Sequence, residues 1–484
     1  MLVAAVVLVD HDPRRRAYAM PGALVLAGIA LASVVGHQIS DKLNGRTALA
    51  GAAVVAVLIG LAILVYVLER WPGAFVLLAV LALPARIPLD FGGDTANLLL
   101  PLYGVIAAGV VVRLRAIEDV EGPPPNPRVQ TALRLLAATT VLYALQTLYS
   151  DDVESAAKDV CFFYVPFALL LRLLIDLRWD AALLRDAYRV TVGVAILCSI
   201  VGVGEWATQH LLLYNEKVLN ANDLKPYFRV NSLFFDPNIY GRYLALTITM
   251  IAAVLLWATE RRTVALCAGA LAILWLGLVP TLSESSFAAL TLGLAVLAAL
   301  RWSPRPVLLT TGALGVAAIA AVLIAPGVIG LKDHSFKNID KVTSGRADLV
   351  KGGLEMAADR PFFGYGAGGF SVEYRRRQDV SSPLAPAESH TIPITIAAEQ
   401  GIVGLAAYVA LLFVTLALVL HRAWESRARA AVAAAYAALV LHTLVYASFL
   451  EDPLTWALLA AAIVLRRPEV EGEPEALAAD AVPA

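Results

Sequence analysis

Charge is scarce in this chain. Only 16% of its 484 residues are Asp, Glu, Lys or Arg, and 59% are hydrophobic; soluble domains carry about 25% charge. The length would allow two or three soluble domains, but this composition excludes them. It points to a polytopic helical membrane protein. The net charge of −1 leaves no bulk electrostatic basis for binding nucleic acid. Cysteine is rare too: Cys161, Cys198 and Cys267 each sit in an apolar run. They form neither a disulfide framework nor a zinc site, and small buried thiols are the expected role. No GxxxxGK[ST] occurs and no cytoplasmic loop is large enough for a nucleotide-binding domain, so ATP-driven chemistry is not expected. A signal-peptide pattern is also missing. MLVAAVVLVDHDPRRR places its apolar stretch before the basic one, the reverse of a signal. Nine apolar residues are too few to span, so residues 1–16 read as a cytoplasmic or interfacial arm.

What the chain has in abundance is apolar runs. Those of roughly spanning length lie near 17–36, 47–68, 97–112, 131–149, 161–175, 190–209, 242–259, 263–281, 286–300, 306–325, 395–420 and 429–449. Shorter ones lie near 73–88 and 453–465. An untilted crossing takes about 20 residues, so the short pair is the open point. The expectation is an all-α integral membrane protein with 12–14 transmembrane helices over 17–465. Arginines collect in alternate short loops: Arg14 to Arg16, Arg70, Arg113 and Arg115, Arg185 and Arg189, Arg261 and Arg262, Arg301, Arg427 and Arg429, Arg466 and Arg467. The positive-inside rule puts these loops and both termini in the cytoplasm. The acidic, Ala- and Pro-rich tail 468–484 reads as disordered. The opposite side then holds two longer loops, 210–241 and 326–394.

Those outer loops carry the unusual sequence. In KPYFRVNSLFFDPNIYGRYLAL, Asp236-Pro237-Asn238 is a turn signal before a helix. Arg229, Asp236 and Arg242 fall at the outer boundary, where snorkelling arginines are the plain reading. SGRADLVKGGLEMAADRPFFGYGAGGF predicts a short amphipathic helix with Leu349, Val350, Leu354 and Met356 on one stripe. Pro361 ends it and a flexible glycine-rich turn follows. Arg346 falls in its first turn, where the helix dipole disfavours a cation. Then AESHTIPITIAAEQGIVG leads back into the membrane, with His390 at its start and Glu399 and Gln400 inside it. A carboxylate in a spanning helix is costly and faces protein or water. Glu205 and Glu284 likewise fall at outer helix ends. The remaining six histidines show no supporting context. Clustering of these groups on one side points to chemistry at the outer face.

Three of these pieces, FFDPNIYGRYLAL, SGRADLVKGGLEMAADRPFFGYGAGGF and ESHTIPITIAAEQGIVG, resemble in order and spacing the O-antigen ligase and O-antigen/exopolysaccharide polymerase superfamily. The likeness covers roughly 225–450. It implies a class-C-type glycosyltransferase fold in the bacterial inner (cytoplasmic) membrane, working at the periplasmic face. The implied donor is a polyprenyl (undecaprenyl) diphosphate-linked glycan. The implied acceptor is another lipid-linked repeat or a lipid A–core sugar. No metal or other cofactor is implied, and no nucleic acid; other polysaccharide-assembly proteins are further candidate partners. The family histidine corresponds to His390 and an arginine of the long-loop helix to Arg346, the expected catalytic pair. His390 would take a proton from the acceptor hydroxyl and Arg346 would bind the diphosphate. Arg229, Arg242, Asp236, Glu284 and Glu399 are the candidate substrate-binding residues. One departure stands out. Ser283-Glu284-Ser285 occupies the place where the family usually has Ser-Arg-Gly, so Arg229 or Arg242 would supply the missing charge. Ligase and polymerase stay undivided at this point. A lipid-linked glycan transporter or flippase and a non-catalytic scaffold of a polysaccharide-assembly machine remain the alternatives.

Overall fold

The computed structural model describes residues 1–43, 47–91, 94–116, 126–213, 216–224, 227–302, 305, 346–378, 391–446 and 448–467. The predicted run 306–325, His390 and the tail 468–484 lie outside them. Each other predicted apolar run forms a helix over most of its length, although 73–88 ends in a strand and 97–112 begins in one. In chain order these are α1 (Leu2–Val9), α2 (Pro13–Leu43), α3 (Thr47–Arg70), α4 (Ala74–Ala82), α5 (Leu100–Arg115), α6 (Pro127–Gln146), α7 (Val153–Asp159), α8 (Val165–Asp176) and α9 (Ala181–Thr208). They continue as α10 (Glu216–Leu224), α11 (Pro237–Trp257), α12 (Arg261–Leu278), α13 (Glu284–Arg301), α14 (Arg346–Asp359), α15 (Phe370–Gln378), α16 (Ile392–Leu420), α17 (Arg427–Val445) and α18 (Pro453–Val464). Among the described residues, nine helices are long and apolar enough to cross a membrane. The chain is an all-α integral membrane protein. Among the described residues, the strands are confined to a hairpin between α4 and α5, in which β1 (Ile87–Phe91) pairs antiparallel with β2 (Asp94–Leu98).

Local chemistry sets the helix starts. Asn126, Asp236 and Asp452 each precede a proline, and each side chain accepts a backbone N–H from the first turn of its helix. The cap satisfies an orphan donor, and the proline needs none. The two short runs resolve differently from full crossings. α4 and α18 have 9 and 12 residues, too few to span alone. α18 packs against α8 and α17, and α4 against α5 and α9. The arm expected at 1–16 is likewise packed: α1 buries Ala4, Val7 and Leu8 against α2, α6 and α8.

Helices sort by depth. α17 is alanine-rich and buried along most of its length, packing on α11, α13, α16 and α18. Small side chains let helix backbones approach where lipid offers no hydrophobic drive. α2, α3 and α12 leave large apolar side chains such as Ile29, Leu58 and Leu276 exposed, as a lipid-facing helix does.

The arginine-rich face is held by its own arginines. Asp176 at the end of α8 is surrounded by Arg172 at 2.5 Å, Arg16 at 3.3 Å and Arg113 at 3.7 Å. Arg466 donates to the carbonyls of Leu418 and His421, and Arg467 to those of Ile175 and Leu177. These are the last carbonyls of α16 and α8, where a cation meets the negative end of the helix dipole.

At the other face α16 is broken. Gly401 has φ 64° and ψ −164° inside it. The freed positions take up the segment after α14: Ile402 donates to Pro361 O at 2.7 Å, while Tyr365 and Gly366 donate to the carbonyls of Ala398 and Glu399 at 3.1 and 2.8 Å. The glycine-rich turn expected to be flexible is therefore fastened to a membrane helix. Leu349 and Met356 of α14 pack with Tyr365, Phe370, Tyr374 and Ala398. Leu354 of the predicted stripe faces outward instead, 54% exposed.

Only glycine fits at the break. A Cβ on Gly401 would lie 2.4 Å from the Phe362 carbonyl carbon. Gly401→Ala is expected to lose about 1–3 kcal/mol from backbone strain alone, read as a lower unfolding transition in detergent. Gly269, with nothing within 4 Å of its Cβ position, provides the control, since Gly269→Ala leaves the transition in place. Equal transitions for the two variants would show that the break does not carry the fold.

Candidate active site

Two polar regions meet at the face where α16 is broken. The first is enclosed by the starts of α11, α13 and α18 and the end of α17. Arg242, fully buried on α11, forms an ion pair with Asp452, the cap of α18. Its Nη1 also donates to Ser448 O at 3.4 Å. Ser448 holds φ 75°, an uncommon value for a residue with a side chain. Asp236 caps α11 through one carboxylate oxygen and accepts the Tyr446 hydroxyl at 2.9 Å on the other. Arg86, in the segment after α4, interacts electrostatically with Asp452, Arg242 and Asp236. His442 Nε2 lies 3.1 Å from Ser285 Oγ and 3.2 Å from Ser286 Oγ, and both hydroxyls are near Ser283 Oγ. Its Nδ1 has no hydrogen-bond partner among the described residues.

The second region is a cavity of about 230 Å³ between α6, α7, α16 and the segment 448–451. Asp159, Glu399 and Glu451 contribute its carboxylates, and Tyr143, Tyr164 and Tyr408 its rings. Tyr143 donates to Asp159 at 2.7 Å and meets Tyr164 edge-on at 4.6 Å between centroids. Among the described residues, no Lys, Arg or His lines this cavity. Burial pushes the Glu451 carboxyl above the usual range, while the Ser448 hydroxyl and Arg242 oppose that rise. Ser448 and Glu451 line the cavity, and Arg242 bonds the Ser448 carbonyl, so the two regions share a wall.

The predicted site residues separate on this geometry. Glu399 is buried, and both its oxygens are engaged: Oε2 accepts from Gly368 N and Oε1 from Phe370 N, each at 3.0 Å. It clamps the glycine-rich turn and also lines the cavity. Arg242 and Asp236 belong to the buried polar cluster. Arg229 stands beside it, donating to Thr281 O at 2.9 Å and to Asn238 Oδ1 at 3.0 Å. Glu284 is exposed in the first turn of α13, while Ser283, Ser285 and Ser286 turn inward. Arg346 starts α14, and its side chain lies outside what is described. Glu205 is buried and caps backbone, accepting from Leu212, Asn231 and Ser232.

Sequence reasoning passed over His442, Asp452, Asp159, Glu451 and Arg86. His442 had a usable signal, because a histidine inside an Ala- and Leu-rich span is costly unless it faces protein or water. Asp159 and Glu451 had none, being loop-edge carboxylates until the fold brings them to one cavity.

The nine apolar helices among the described residues that are long enough to cross a membrane define a multi-pass membrane protein with polar groups enclosed among its helices. Residues 269–409 match the family model described as O-antigen ligase (Wzy_C). The matched stretch contains the inward-facing serines of α13, the glycine-rich turn, Glu399 and Tyr408. The match supports the O-antigen ligase and polymerase superfamily, and with it a membrane glycosyltransferase of ligase or polymerase type. Such transferases take a lipid-linked glycan and an acceptor within a membrane. No curated protein matches the chain.

Removing one partner from a buried ion pair strands the other charge and costs about 3–5 kcal/mol. Asp452→Asn and Arg242→Met are each expected to lower the unfolding transition by that order. The double variant recovers much of it, because neither charge is then left unpaired. Additive losses in the double-mutant cycle would show that the pair is not coupled.

Proposed function

We propose that the protein moves a glycan from a polyprenyl diphosphate to a sugar hydroxyl at the periplasmic face of the bacterial inner membrane, as an O-antigen or exopolysaccharide polymerase or ligase. The observation that carries this reading is the packing of α14 on the first part of α16. α14 begins at Arg346, and α16 begins two residues after His390. Across the contact, a Cβ on Gly353 of α14 would touch Ile394 of α16 at 2.5 Å. Ile392, Thr395 and Glu399, just beyond His390, line the carboxylate cavity.

Electrostatics divides the two substrates. Three carboxylates, with no cation among the described lining residues, disfavour a diphosphate, whereas sugar hydroxyls donate to carboxylates readily. The cavity therefore serves the acceptor, and the diphosphate goes to the Arg346 side. The acceptor oxygen attacks the anomeric carbon of the donor and gives its proton to the His390 imidazole. The bond from that carbon to the diphosphate breaks, and polyprenyl diphosphate leaves with the electron pair. Arg346 stabilises the growing charge, since guanidinium matches phosphate geometry. Arg229 and Arg242 already have protein partners, so they act through their field rather than by direct contact. Glu399 acts by holding the turn. The broken helix gives no support to a transporter. In transporters such breaks leave helix ends facing a substrate, and here residues 361–366 fill the break.

In a transfer assay with lipid-linked glycan, His390→Ala and Arg346→Ala are each expected to reduce the rate at least about 100-fold, at normal membrane levels. Normal transfer by both variants would overturn the assignment. Asp159→Asn is expected to raise the KM for acceptor several-fold with the donor KM unchanged; the reverse pattern would place the donor in the cavity.

A further inference from the structure

A second cavity lies apart from the carboxylates. It is an apolar groove of about 770 Å³ among α4, α8, α9, α11, α12, α17 and α18. Leu454, Ala457, Leu458, Ala461 and Leu465 of α18 line it at helical spacing. It follows that helix for about 16 Å at 1.5 Å per residue. A long apolar chain is the only common membrane constituent that fills such a shape without stranding a polar group.

The groove is polar at one end. Arg185 and Arg189 of α9 and Arg427 of α17 line it there, beside Trp179 and Tyr188. Arg189 pairs with Asp186 at 3.1 Å. Among the described residues neither Arg185 nor Arg427 forms an ion pair, so three arginines face one carboxylate and two positive charges are in excess. Trp and Tyr at this level mark the interface depth of a bilayer. An apolar groove with a guanidinium mouth is complementary to an amphiphile with a phosphate head.

We infer that the groove holds an acyl chain of an anionic phospholipid whose phosphate sits at Arg185 and Arg427. The mouth is on the arginine-rich face, beside Leu465 at the end of α18 and away from the carboxylate cavity. The lipid therefore belongs to the leaflet at the arginine-rich face, away from the carboxylate cavity. One chain wedged among seven helices would brace α18 and α4, which are too short to span by themselves. The inference stands without the transferase reading, because nothing in it uses His390 or Arg346.

The test uses the full-length protein in detergent, exchanged against mixed vesicles of phosphatidylglycerol and phosphatidylcholine, with retained lipid counted by native mass spectrometry. About one phosphatidylglycerol per protein is expected, with roughly fivefold selectivity per unpaired arginine. Arg185→Gln/Arg427→Gln removes the selectivity, and Ala461→Trp, which fills the groove, removes the retained lipid. Three results would each overturn the inference: equal retention of the two lipids, selectivity unchanged in the arginine double variant, or one-for-one displacement by polyprenyl diphosphate, which would give the groove to the donor. Transfer activity of the same preparations is recorded separately, so failure of the lipid site is not confused with failure of the transferase.

Discussion

A carboxylate inside a membrane helix must find donors, and Glu399 finds them in the backbone of a loop. Its two oxygens accept from Gly368 and Phe370. That arrangement requires the loop to approach the helix backbone closely, and the approach in turn requires the helix to open. Gly401 provides the opening and Gly364 the contact, where a Cβ would come within 2.3 Å of the Glu399 carbonyl. Tyr149, Ser150 and Gln146 complete the attachment with bonds to Phe363, Ala367 and Gln400. One buried charge thus fixes α14, the turn, α15 and the head of α16 as a unit.

The two ends of the helix bundle solve the problem of charge in different ways. At one end Arg466 and Arg467 cap helix carbonyls, and Arg16, Arg113 and Arg172 surround Asp176, so these cations face a partial or full negative charge. At the other, Arg242 is sealed against Asp452, with Asp236, Tyr446 and Arg86 around it. The first arrangement uses the long reach of arginine to stop helices. The second places ionised groups where water is excluded and where hydrogen bonds and charge have greater effect. Buried charges of the second kind persist only where something compensates their cost.

Helix positions were legible because twenty apolar residues can do little else in this composition. Lengths near the limit were not: α4 and α18 look like weak spans and turn out to be short core helices supported by neighbours. The hairpin at 87–98 carried no apolar alternation strong enough to announce it. Among the candidate residues, an odd charge in the sequence marked a buried polar contact without revealing which contact. Glu399 stood out as a misplaced charge, and its position proved structural as well as cavity-lining. Arg229 and Arg242 stood out as cations at a boundary, and both are engaged by protein partners. His442 was passed over because its serine partners come from α13, over 150 positions earlier in the chain, a contact that no local pattern encodes.

Ser283-Glu284-Ser285 can now be understood physically. Where the resemblance leads one to expect an arginine, Glu284 projects outward from the first turn of α13, where an acid is favoured by the helix dipole. Its neighbours turn inward and hold His442. A glutamate at that exposed position stabilises its own helix, whereas an arginine there would oppose the helix dipole. The buried serine and histidine contacts that anchor α13 to α17 do not depend on the charge at position 284.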